Sequence, residues 1–173
     1  MWKKLSSKML LDHPRLTVIE DTVLLPDGTE TTYILTPSKG NAVTIIARKD
    51  NKILLQKEYS YPPNEVLFQF PGGFVPIDED LEVGANRELM EEANLKANKL
   101  TVIGKYLLDN RRSNAYMHVF LSTDMKEESQ QGDIEEVIES FWFSEDEIDE
   151  LVKKGEIKNG HILASWMLYK LVK

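Results

Sequence analysis

Residues Arg87 to Asn94 read RELMEEAN, and Glu88, Glu91 and Glu92 within them stand at i, i+3 and i+4. In a helix, residues three and four apart lie on one face, about a turn apart. Like charges at that spacing repel by about 0.2–0.5 kcal/mol per pair. The one adjacent basic residue is Arg87, and the helical spacing directs it to a neighbouring face. A stripe of this kind is either a solvated acidic face or a cation site. Hard divalent ions such as Mg²⁺ take carboxylate oxygens, so Glu88 and Glu92, with Glu91 next, are candidate metal ligands. The residues ahead of the stripe add a constraint. Phe70-Pro71-Gly72-Gly73 is a tight-turn signal, and Glu79 and Asp80 lie where a helix would start.

Composition narrows the partners. The 173-residue chain carries 21 Lys plus Arg against 29 Asp plus Glu, a net charge of −8. That balance argues against a nucleic-acid backbone as main partner. It permits a phosphorylated small molecule, because a bound divalent ion supplies positive charge locally. No cysteine is present, which excludes disulfides, thiol catalysis and cysteine-based zinc sites. The first residues, MWKKLSSKMLLDHP, lack the apolar run of a secretory signal, and no stretch is long and apolar enough to span a membrane. A cytoplasmic location is the expectation.

Strands dominate the pattern. Residues 8–25, broken at Pro14, favour β structure, and Pro26-Asp27-Gly28 turns the chain into a returning strand over Thr29 to Thr36. Pro37-Ser38-Lys39-Gly40 reads as a linker, dividing an N-terminal β-hairpin extension (1–38) from a main domain (39–173). Further strands are expected over 42–48, 53–58, 66–70, 99–108, 116–122 and 140–143. Residues 124–132 read as a mobile loop. Ser144 followed by Glu147 is a capping box opening a helix to Lys154, and Gly155 stops it. In the terminal helix from His161, residues Ile162, Trp166 and Tyr169 share a face, and Ala85 and Leu89 of the motif helix read as core. The fold class is α+β, a mixed sheet between helices.

At fixed spacing, Gly73, Glu79, Arg87, Glu88, Leu89, Glu91, Glu92 and Leu95 fill the pattern G-x5-E-x7-R-E-U-x-E-E-x-G-U, with U a bulky aliphatic residue. In this the chain resembles the Nudix hydrolases. Asn94 replaces the final glycine, and asparagine is the next best residue for a left-handed helix end. The resemblance implies an α/β/α sandwich around a mixed sheet, with the motif as a loop–helix–loop. It implies Mg²⁺, or Mn²⁺, held by Glu88, Glu92 and Glu91 and by a backbone carbonyl around Gly72. Glu91 is also a candidate catalytic carboxylate. It implies that Glu79 and Arg87 pair to hold the loop against the helix, and that Gly73 serves backbone geometry.

The N-terminal hairpin and the lead-in EYSYPPNEVLFQFPGG resemble the branch that cleaves ADP-ribose and other nucleoside diphosphate sugars. In that branch the hairpin helps form a homodimer, and a loop after the motif supplies the general base. The matching candidates are Glu135 and Glu136, with Glu139 a third. Arg111 and Arg112 are candidate phosphate contacts, and Tyr59 is a candidate platform for a base. Three positions depart from the branch: Ser60 replaces a usual Arg, Gln69 a usual Glu, and Asn110-Arg111 a frequent Pro. The expected reaction is metal-dependent hydrolysis of the pyrophosphate bond of a nucleotide sugar, ADP-ribose or another ADP-sugar. Two alternatives stay open at this point. One is a nucleotide-sensing module without catalysis. The other is a Nudix hydrolase for GDP-mannose, nucleoside triphosphates, dinucleoside polyphosphates or capped RNA.

Overall fold

A computed structural model describes residues 1–131 and 138–172. The N-terminal part forms its own antiparallel sheet from β1 (Lys3–His13), β2 (Leu16–Leu24) and β3 (Glu30–Leu35). The expected hairpin is the β2–β3 pair, closed by the turn in which Gly28 takes φ +85. Pro14 turns β1 into β2, and β1 starts earlier than the sequence pattern indicates. It is exposed along its whole length, so no buried face imposes an alternation that a sequence reading could detect.

The main sheet contains β4 (Gly40–Lys49), β5 (Lys52–Ser60), β6 (Glu65–Gln69), β7 (Phe74–Pro76), β9 (Thr101–Leu107), β10 (Tyr116–Ser122) and β12 (Ile138–Ser144). Its order is β12-β5-β4-β10-β9, with β6 added to β5 and β7 to β4. Only β4 and β10 run parallel among these pairs, so the sheet is mixed. Two short strands, β8 (Leu95–Ala97) and β11 (Met125–Glu127), pair with each other. The segment expected to be a mobile loop therefore carries a strand; three residues are too few to show a period.

Helices cover both faces. Residues alternate along the central strands between two cores. Ile46, Ile53, Leu55 and Val119 face α2 (Glu145–Lys153) and α3 (Gly160–Val172) through Ile148, Ile162, Trp166 and Tyr169. Val43, Ile45, Leu54 and Phe120 face α1 (Leu81–Ala93) through Ala85 and Leu89. This is the expected α/β/α sandwich. The near-continuous apolar run of β4 follows from it, because a strand buried on both faces loses its polar alternation.

One irregularity places the motif. β4 pairs with β5 only at Arg48↔Ile53 and Lys49↔Lys52. Beyond that point the Phe70–Gly73 turn takes over the β4 edge. Ile45 N–H donates to Pro71 O at 2.8 Å and Val43 N–H to Gly73 O at 2.9 Å. The turn is thus hydrogen-bonded into the centre of the sheet.

Candidate active site

Helix α1 begins at its N-cap Asp80, whose carboxylate accepts from Glu82 N–H and Val83 N–H. It ends at Asn94, in the left-handed region at φ 55, whose N–H reaches Leu89 O. Asparagine therefore occupies the conformation anticipated for the glycine it replaces.

The turn meets the helix through two glycines. Gly72 has φ +151, and a Cβ there would lie 2.1 Å from Val43 O. A Cβ on Gly73 would lie 2.7 Å from the Glu88 carboxyl group. At Gly72 the clash is with backbone and excludes a side chain, while at Gly73 a side chain would push the Glu88 carboxyl group aside, so the backbone of the turn packs directly on β4 and on Glu88. Gly72 N–H donates to Glu92 Oε2 at 3.1 Å. The structure thus brings Gly72, Gly73, Glu88 and Glu92 together. Glu88 is buried at 8% exposure, an uncommon place for a carboxylate without partners.

Arg87 departs from the expected arrangement. It does not point away from the glutamates. Its Nη1 donates to Glu88 Oε1 at 2.8 Å and to Glu91 Oε2 at 3.1 Å. Its Nε and Nη2 donate to Glu79 at 3.2 and 3.3 Å, and Nη2 also reaches Phe74 O. The planar fork lets one guanidinium serve three carboxylates, which a helical-wheel argument built on Cα positions does not foresee. Hydrogen bonding to Glu79, then the charge of Glu88, raises the Arg87 pKa, while burial opposes the shift. The other Glu91 oxygen accepts from Gln130 Nε2 at 3.0 Å.

Hence the three glutamates do not form a preassembled three-carboxylate cage. Among the described residues, no group of three or more His, Asp or Glu side chains stands ready to hold a metal. The donor set at the turn still suits a hard ion. Mg²⁺ is commonly bound by one or two carboxylates, with waters and substrate phosphates completing its shell. Glu88 and Glu92 supply two carboxylates beside a glycine turn, and one Arg against Glu79, Glu88 and Glu91 leaves the cluster negative.

Other predicted residues lie elsewhere. Arg112 donates to Ile34 O at 3.1 Å and stands over the Tyr33 ring, and the carbonyls of Arg111 and Arg112 accept from Tyr33 Oη and Thr36 N–H. This pair joins β3 to the loop after β9. Tyr59 is half exposed and donates to Asn64 Oδ1 at 2.9 Å. Gln69 Nε2 donates to Glu58 Oε2 at 2.5 Å. Glu139 is exposed on β12, opposite Lys57. Glu135 and Glu136 lie outside the described residues. Sequence reasoning missed Gln56, which is fully buried beneath the end of α1. Its only signal was a polar residue within the expected strand ILLQKE.

The model of the NUDIX domain matches residues 38–166. The chain belongs to the Nudix family. The model of the nucleoside diphosphate sugar hydrolase N-terminal domain matches residues 2–33 of this Nudix protein, which covers the β1–β3 sheet almost completely. Relatives include the ADP-ribose pyrophosphatase of Bacillus subtilis (strain 168), 24% identical over 90% of this chain and 85% of the relative. The ADP-ribose pyrophosphatase of Methanocaldococcus jannaschii is 36% identical over 53% of this chain and 55% of its own length. The ADP compounds hydrolase NudE of Escherichia coli (strain K12) is 30% identical over 56% of this chain and 52% of its own. In shape, the chain matches the crystal structure of an ADP compounds hydrolase with a TM-score of 0.90. That match covers 98% of this chain and 92% of the other, at 22% identity, and so speaks to the fold alone. The Nudix domain and these relatives together make the chain a Nudix pyrophosphohydrolase.

Proposed function

We propose that this Nudix enzyme hydrolyses the pyrophosphate bond of ADP-ribose or another ADP-sugar, with Mg²⁺ or Mn²⁺ as cofactor. The observation that carries the site is the packing of Glu88 and Glu92 against the Gly72–Gly73 turn. Glu88 and Glu92 would hold the ion, with Glu91 and the Gly72 carbonyl as further ligands. When bound, the ion neutralises charge on the two phosphates and lowers the pKa of water. The chain's own residues divide the remaining work. Arg87 and Glu79 fix the loop to the helix, and Arg87 orients the Glu88 and Glu91 carboxylates. Glu135 or Glu136 takes the proton from the attacking water, a task for a carboxylate that stays ionised beside cations. Water adds to one phosphorus, the bridging P–O bond breaks, and ADP-ribose yields AMP and ribose 5-phosphate. The relatives, two ADP-ribose pyrophosphatases and an ADP compounds hydrolase, support the ADP-linked substrate class.

The chain divides at residues 38 and 39 into an extension and a catalytic domain, and the extension pairs two copies into a homodimer. Support comes from the separate β1–β3 sheet and from its exposed Leu5, Met9, Leu11, Leu16 and Ile34. Large apolar side chains gathered on one exposed sheet commonly mark an interaction site.

The test is a panel of ADP-ribose, other nucleotide sugars and nucleoside triphosphates with Mg²⁺ or Mn²⁺, read by released mononucleotide and pyrophosphate. AMP from ADP-ribose is the expected product. In the same assay Glu88→Gln and Glu92→Gln should each cut turnover at least about a hundredfold, the scale of one lost electrostatic stabiliser. Pyrophosphate from triphosphates, with diphosphate sugars untouched, would overturn the substrate class. Full metal-dependent activity in either variant would overturn the site.

A further inference from the structure

Gln56 is a polar residue in a place built for an apolar one. It follows Ile53, Leu54 and Leu55, all at most 1% exposed, and is itself 0% exposed. Its Nε2 donates to Glu92 O at 3.1 Å and approaches Ser140 Oγ at 3.4 Å. The orientation of the amide is fixed by chemistry, since the Glu92 carbonyl can only accept. That leaves Oε1 buried with no hydrogen-bond partner among the described residues. An unmatched buried acceptor destabilises a fold; leucine or methionine would remove it, but would leave the Glu92 carbonyl without its donor.

What the amide supplies is a donor at a specific carbonyl. The last turn of a helix has carbonyls without intrahelical donors. In α1, Asn94 N–H takes Leu89 O and Gln130 N–H takes Met90 O. Gln56 takes Glu92 O from the sheet side. The Glu92 carboxylate is held from the other direction by Gly72 N–H. One residue is therefore gripped at its main chain by β5 and at its side chain by the motif turn.

We propose that Gln56 is a positioning residue for Glu92: its amide, held in the sheet, sets where that carboxylate lies. The proposal rests on the reading of Glu92 as a metal ligand. Outer partners that orient a ligand commonly change metal affinity by about 10–100-fold when removed.

The test titrates Mn²⁺ into the intact chain without substrate, read by electron paramagnetic resonance, with thermal melting alongside. Gln56→Met exchanges one unmatched acceptor, Oε1, for another, the Glu92 carbonyl, so its melting temperature should stay close to wild type. It should bind Mn²⁺ at least about tenfold more weakly, and lower kcat more than it changes KM. Gln56→Asn keeps an amide but withdraws it from Glu92, and serves if methionine fails to fold; it should weaken Mn²⁺ binding likewise. Mn²⁺ affinity within about twofold of wild type in a folded Gln56 variant, far below the range for such partners, overturns the proposal, whether or not melting changes. Glu92→Gln separates the two readings. If it weakens Mn²⁺ binding while the Gln56 variants do not, only the positioning role falls. If it binds Mn²⁺ as wild type does, the ligand reading falls, and the proposal with it.

Discussion

Asn94 is where the chain departs from its family's motif, and its backbone explains why the departure is tolerated. It sits at φ 55 and ψ 34, a conformation that costs most L-residues about 1–2 kcal/mol. Glycine avoids the cost, and asparagine lowers it through local hydrogen bonding. Alanine does neither. Asn94→Ala should therefore destabilise the protein by about 1 kcal/mol, while Asn94→Gly stays within a few tenths of wild type. Urea unfolding monitored by circular dichroism checks both. An alanine variant as stable as wild type would mean that Asn94 is not the residue holding the helix end. The same scale shows a limit of sequence reasoning. Spacing put Glu88, Glu91 and Glu92 on one stripe, but the reach of the Arg87 guanidinium into that stripe depends on side-chain direction, which spacing does not encode.

Elements were legible in proportion to how strongly burial patterned them. β4, β5 and β10 lie in the centre of the sheet, β4 and β5 with long buried runs and β10 with no exposed residue, and the sequence located each within about two residues, the usual precision of such boundaries. The capping box at Ser144 and Glu147 is present on both sides, so the α2 start was readable from two residues. β7, β8 and β11 are three residues each, too short for any period, and β1 has no buried face. Gln56 was hidden for the opposite reason: its strand was evident, and one polar residue within it does not say that it is fully buried. The strand β10 also carries a titration. Burial first, and the charge of Lys105 second, lower the pKa of His118 from its ordinary 6.5. Lys105 is its direct cross-strand neighbour on β9. The folded state thus prefers neutral imidazole. Its contribution to stability is complete above the unfolded value near 6.5 and is lost as pH falls through the lower folded value. The melting temperature should drop as pH falls below about 6.5, and His118→Gln should flatten that slope. Equal slopes in the two proteins would remove His118 from the account.

At the scale of the whole molecule, the two larger sheets have different claims to stability. The main sheet is covered on both faces by helices and encloses two apolar cores. The β1–β3 sheet buries little: among the buried apolar residues of the chain it contributes Val23, and Asp21 is its buried charge, paired with Lys4 and Ser7. It is tied to the main domain by polar contacts, namely Tyr33 Oη to Arg111 O, Thr36 N–H to Arg112 O and Ser38 N–H to Asn114 Oδ1. A sheet of three strands needs a covered apolar face to be stable in water. With Leu5, Met9, Leu11 and Leu16 each more than 40% exposed, the proposed second copy supplies that cover. Replacing Met9 and Leu11 together by glutamate puts charges where the partner would pack, and two such charges against their counterparts cannot be desolvated cheaply. Sedimentation equilibrium should then show a dimer for the wild-type chain and a monomer for Met9→Glu/Leu11→Glu. The motif helix and both cores lie outside the substituted sheet, so the monomeric variant should keep its cooperative melting transition. A wild-type chain that sediments as a monomer at micromolar concentration would leave the exposed sheet without its proposed partner. A doubly substituted chain that still dimerises would move the interface to another surface.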